Sequence, residues 1–128
     1  MAALGDTFRL ASPRIDGHLH IIISDPIRNP GSIVTANFTT WYPDKDQSCI
    51  VEIGEHRQVT KRSCVDYRRE RCITLAQYDH AVATGLLVQH GPVGGALLGR
   101  ILAGAGVSHL IPLGNRQILV DQGLIDSE

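Results

Sequence analysis

A chain of 128 residues, 43% of them hydrophobic, is long enough to bury one core and too short for a second, so residues 1–128 are expected to form a single domain. Its formal net charge of -1 hides an uneven distribution: residues 57–72 carry Arg57, Lys61, Arg62, Arg68, Arg69 and Arg71 against Asp66 and Glu70, a local +4, while residues 1–56 sum to -3 and residues 73–128 to -2. A basic strip on a mildly acidic body suits an anionic partner such as RNA, whereas three cysteines (49, 64 and 72) at unpaired spacings exclude a disulfide framework; with no leader segment expected, they fit a reducing cytoplasm.

Residues 5–10 (GDTFRL) suit a first strand. Turn signals at Ser12-Pro13 and Asp16-Gly17 return the chain as residues 18–24, a hairpin with a moderately long loop. Asp25-Pro26 and Asn29-Pro30-Gly31 lead to a third strand over 32–40, and residues 42–46 join it to a fourth over 48–53. Gly54-Glu55 then turns the chain toward Val59 and a strand over 63–67, giving about six strands, enough for a closed or nearly closed small β-barrel over residues 5–72. From residue 73 to about 122 the pattern becomes helical. Thr74-Leu75-Ala76-Gln77 has the form of a capping box and predicts a helix over 75–84 that stops at Gly85, although Ile73, Leu75 and the run 85–88 would also suit a strand. Leu97, Leu98, Ile101 and Leu102 form one apolar stripe of a helix over 93–105, to pack on the barrel or on a second copy, and a weaker helix follows over 113–121. The class is mainly β with a C-terminal α part.

The glycine-rich run 91–107 shows GxxxG spacing but is short and carries Arg100, so no membrane span is expected; its glycines match neither GxxxxGK nor a strand-borne GxGxxG. His18 and His20 could bind a metal together with a cysteine, yet no CxxC or HExxH accompanies them, and neither metal nor cofactor is expected. Metal-free RNA cleavage needs a base for the 2′-hydroxyl, an acid for the leaving 5′-oxygen and donors around the phosphate oxygens. Histidine is the side chain best poised near neutral pH for the first two tasks. His18 can serve as one of them and Thr39 can donate to a phosphate oxygen, with Arg57 or Arg62 stabilising the extra charge; His20 and His56 are candidates for the partner acid or base. Strand alternation would put His18 and His20 on one face and Leu19 on the other. Trp41 can offer a stacking face to an unpaired base, and Ser63 completes the RNA-contacting candidates. Each has an ordinary alternative: rim histidine, strand threonine, core tryptophan, turn-capping serine.

Gly5-Asp6-Thr7-Phe8 opens the first strand, His18-Leu19 leads into His20-Ile21-Ile22-Ile23-Ser24, Phe38-Thr39 ends the third, Val51-Glu52-Ile53 begins twelve residues beyond Thr39, and Ser63-Cys64-Val65-Asp66 closes the series. In this order and spacing the segments resemble the MazF/PemK family of endoribonuclease toxins from bacterial toxin-antitoxin pairs, over roughly residues 5–70. The resemblance implies an SH3-like, PemK-type barrel with attached helices, a homodimer, metal-independent cleavage of single-stranded RNA and an acidic antitoxin protein as partner. The chain departs from the family at position 18, where the family's active-site arginine would align with His18, and in the absent or shortened Gly-Ser-Glu loop before it. A non-catalytic relative binding nucleic acid or protein through the same fold is the alternative.

Overall fold

The structure, a computed structural model, describes residues 2–12, 17–68 and 73–127. Pro13 and Asp16 of the first expected loop, and Arg69, Arg71 and Cys72 of the basic strip, lie outside the described residues. The elements run β1 (Asp6–Leu10), β2 (His20–Ile22), β3 (Thr35–Thr40), β4 (Ile50–Val51), β5 (Ser63–Asp66), α1 (Leu75–Ala83), β6 (Leu87–Pro92), α2 (Gly95–Val107) and α3 (Leu113–Asp121).

The strands form one six-stranded antiparallel sheet in the order β4-β5-β3-β2-β1-β6. The ladder is not closed, in contrast to the expected barrel: β4 and β6 are its edges, with no pairing between them. Two local features keep β4 short. The Glu52 N–H is taken by the Glu55 carboxylate at 2.7 Å, and Gly54 turns the chain at φ +87°, a conformation that favours glycine. The sixth strand comes from residues 87–92, inside the part expected to be helical, and lies beside β1.

Helices cover both faces of the sheet, which explains why residues 21–23 read as an unbroken apolar run rather than an alternating one. Leu19, Ile21 and Ile23 enter one core with Val34, Phe38, Val65, Tyr67 and the Leu97, Ile101 and Ala105 stripe of α2, closed by Leu119 of α3. Ile22 points the other way, into a smaller core with Phe8, Ile33, Leu87 and Tyr78 of α1. Each fully buried isoleucine here contributes about 2 kcal/mol relative to an exposed one.

The helix ends follow the sequence closely. Thr74 Oγ1 accepts from the Gln77 N–H at 3.0 Å while Gln77 Oε1 accepts from the Thr74 N–H at 2.9 Å, the reciprocal capping box, and Gly85 ends the helix at φ +80°. Cys49 and Cys64 are buried free thiols whose pKa values burial pushes up, as suits small hydrophobes rather than nucleophiles. Among the described residues no helix is long and apolar enough to cross a membrane.

The loop after β3 is tied to the end of α2 by Asp46, whose carboxylate accepts from Ser48 Oγ and Ser108 Oγ, each at 2.5 Å. Burial alone would push this carboxyl up, but the bonds from Ser108 and Ser48 outweigh it and hold the pKa below its ordinary value of 3.8. Because the folded value is the lower one, this contribution is fully present above the unfolded pKa and is lost as pH falls through the folded one. Asp46→Asn is therefore expected to lower the melting temperature at neutral pH. In melts recorded down the acid limb, the gap to wild type narrows once the carboxylate protonates; a gap constant with pH would contradict this role.

Candidate functional site

A cleft of about 240 Å³ opens where β1, the entry to β2, the end of β3 and the loop between β4 and β5 meet. β1 supplies Arg9; the segment entering β2 supplies His18; β3 supplies Thr39 and Thr40; the loop supplies Gln58, Thr60 and Lys61, and β5 begins at Ser63. No Asp or Glu is among the described residues that line it, so two cations, an imidazole and four hydroxyls face a volume with no opposing charge. Such a surface attracts anions, and its hydroxyls can donate to phosphate oxygens.

Internal bonds fix the orientation of the groups. His18 Nδ1 lies 3.2 Å from the Phe38 carbonyl oxygen, which can only accept; the ring nitrogen there is the N–H, which leaves the basic lone pair on Nε2. Arg9 is held from two sides, its Nε donating to Gln58 Oε1 at 3.3 Å and its Nη1 to the Gly17 carbonyl at 2.7 Å. Ser63 Oγ donates to the Lys61 carbonyl at 2.9 Å, which pins the turn that carries Lys61.

Of the eight side chains picked out from the sequence, the cleft brings together His18, Thr39 and Ser63. His20 requires correction: it is 1% exposed and stacks on Phe8 with centroids 5.2 Å apart, within the small core beneath α1. Strand alternation does not join the two histidines, because β2 starts at His20 and the exposed His18 precedes the pleat. His56 is 8% exposed and lines a neighbouring recess rather than the cleft. Its Nδ1 accepts from the Gln58 N–H at 3.1 Å, and its Nε2 lies 3.3 Å from the Gly91 carbonyl, to which Thr7 Oγ1 also donates at 2.5 Å. His56 thereby fastens the loop that carries Gln58 onto β1 and β6, a positioning role rather than the acid-base role expected. Arg57 lines a separate recess with His90. Trp41 and Arg62 lie outside the cleft as well: the Arg62 guanidinium sits over the indole, 4.7 Å from its centroid, and its Nε pairs with Glu52 at 3.2 Å. One face of the indole is thus already covered by a cation.

Arg9, Gln58 and Thr60 were not singled out from the sequence. They arrive by a long-range contact, Arg9 to Gln58 across 49 positions, for which no local pattern exists. Among the described residues no three His, Cys, Asp or Glu side chains come together so as to hold a metal ion. Comparison with protein-family models, with curated proteins and with solved structures finds no match to this chain.

Proposed function

We propose that this chain is a toxin-like RNA-binding protein whose cleft seats a phosphodiester of single-stranded RNA and cleaves it without a metal. The observation that carries the reading is the charge of the cleft: Arg9, Lys61 and His18 converge with Thr39, Thr40, Thr60 and Ser63, and no carboxylate is among the described residues that line it. In the cleavage step His18 Nε2 takes the 2′-hydroxyl proton and the 2′-oxygen attacks phosphorus. The 5′-oxygen leaves with a proton delivered by Lys61 or solvent, which yields a 2′,3′-cyclic phosphate and a free 5′-hydroxyl. Thr39 donates to a non-bridging oxygen, Ser63 holds the turn that carries Lys61 through its bond to the Lys61 carbonyl, and Arg9 stabilises the additional negative charge. Neither His20 nor His56 takes part.

The sequence resemblance supports the same reading and adds to it an SH3-like, PemK-type barrel as the origin of the open sheet, a homodimer, a cytoplasmic setting and an acidic antitoxin partner. Exposed Val107, Leu110 and Leu113 at the α2–α3 corner supply apolar surface for such protein contacts. A second reading, RNA binding without cleavage, is favoured by one feature: histidine stands at position 18 where the family has arginine.

Binding is tested by fluorescence anisotropy on an unstructured RNA across a salt series. Wild type is expected to bind with log K falling as log salt rises, and Arg9→Ala with Lys61→Ala to lower both the affinity, by about tenfold or more, and the salt slope, by about 0.7 for each phosphate no longer neutralised. Wild-type protein that fails to bind RNA at low salt would overturn the reading.

A further inference from the structure

Two side chains, the Arg57 guanidinium and the His90 imidazole, play no part in the cleft and stand together elsewhere. β6 pairs Gly91 with Thr7 and Gln89 with Phe8, so His90 is an extra residue with no partner across the ladder, and Gly91 takes φ +86° to accommodate it. A bulge of this kind bends a strand and re-aims a side chain. Here it places His90 beside Arg57 on the wall of an open recess of about 480 Å³, floored by Gly91 and Gly94. Arg57 Nη2 donates to the His90 carbonyl at 3.3 Å, which holds the guanidinium over the bulge. Glu55, the carboxylate lining the recess, is bound to the Arg100 guanidinium by two hydrogen bonds and so does not offset Arg57.

The recess and the cleft are neighbours along both the loop and the β1–β6 ladder, where Arg9 pairs with Val88 and Phe8 with Gln89 beside His90. Arg57 and Gln58 are consecutive, and each lines one of the two. Burial lowers the His90 pKa, and the charges of Arg9 and Arg57 lower it further, so the cleft's own Arg9 is within electrostatic reach of the recess. Two neighbouring concavities, each holding a cation, are complementary to a strand bearing regularly spaced phosphates.

We infer that the Arg57–His90 recess is a second phosphate site, holding a neighbouring phosphodiester of the RNA strand whose reactive phosphate lies in the cleft. The inference rests on the RNA reading of the cleft and deepens it. One phosphate site cannot distinguish a polynucleotide from a nucleotide, whereas two joined sites select a strand long enough to span both. Arg57 supplies the fixed charge, and His90 donates to the phosphate when protonated.

The test compares a single-stranded RNA of about twelve nucleotides with a dinucleotide that fills the cleft alone, each measured by calorimetry across a salt series. The proteins are wild type and Arg57→Ala combined with His90→Gln, with thermal melts to establish folding; Arg57→Gln alone, at an exposed position, serves if the double variant melts early. The double variant is expected to bind the longer RNA about five- to tenfold more weakly, with a salt slope reduced by about 0.7 or more, and to bind the dinucleotide as wild type does. Unchanged affinity and slope for the longer RNA would overturn the second site, as would an equal loss for both RNAs in a folded variant. Wild-type protein that binds neither RNA would overturn the cleft reading itself, and this inference with it.

Discussion

Gly104→Ala is expected to lower the melting temperature by roughly 10 °C, the reverse of what the same exchange does in an ordinary helix. Alanine normally stabilises a helix interior relative to glycine by about 1 kcal/mol, because glycine loses more backbone entropy on folding. At position 104 a Cβ would stand 2.5 Å from Tyr67 Oη, 2.8 Å from the Ser48 carbonyl oxygen and 2.9 Å from Cys49 Cβ. The phenol cannot easily move aside. It is 1% exposed and donates to the Ile101 carbonyl at 2.7 Å, one turn earlier in the same helix. Overpacking against such neighbours costs about 3 kcal/mol, which exceeds the propensity gain. Scanning calorimetry of Gly104→Ala beside Gly99→Ala separates the two effects, since nothing stands within 4 Å of a Cβ at position 99. Gly99→Ala should melt at or above wild type; a Gly104→Ala protein as stable as wild type would show that α2 is free to shift off the sheet.

His18→Ala is expected to reduce RNA cleavage by about a hundredfold or more while leaving RNA affinity within a few fold of wild type. The separation follows from where the charges lie. In the proposed reading phosphate affinity would come from Arg9 and Lys61, whereas the lone pair that would accept the 2′-hydroxyl proton is on His18, whose ring is oriented by its bond to the Phe38 carbonyl. Thr39→Ala should weaken cleavage through the loss of one donor to the phosphate oxygens, with a smaller effect than His18→Ala. Rates and affinities from the same preparations, in buffer containing EDTA, separate the alternatives: equal cleavage by His18→Ala and wild type would remove His18 from the chemistry, and binding without cleavage by wild type would select the non-catalytic reading.

Local signals were legible where local chemistry decides the structure. The capping box at Thr74 and the stop at Gly85 place α1 as expected, and the expected bounds of the last helix match Leu113–Asp121. The apolar stripe of α2 also faces the core, with Leu97 and Ile101 buried and Leu98 and Leu102 packed against them. β6 was harder to read because it is an edge strand with a bulge: Val88 and Gln89 are exposed and His90 interrupts the pairing, so no clean alternation marks it. Closure of the sheet depends on whether β4 and β6 meet, a matter of tertiary geometry with no local signature.

The candidate site divides in the same way. His18, Thr39 and Ser63 were legible because they flank or end strands that the sequence marks well. Arg9 and Gln58 were not, since their meeting depends on the loop after β4 folding back on β1 under the hold of His56. His56 itself looked like a reactive imidazole and proves to be a buried clasp, a difference visible only once Thr7, Gln58 and Gly91 are in place around it.

The measurement that tests the cleft most directly is a nuclear magnetic resonance titration of isotope-labelled protein with a short single-stranded RNA, following backbone amides residue by residue. The account predicts that the shifts concentrate at Arg9, Gly17, His18, Thr39, Thr60 and Lys61, and that amides of α3 remain in place. Shifts centred on the α2–α3 face, or no shifts at low salt, would contradict it.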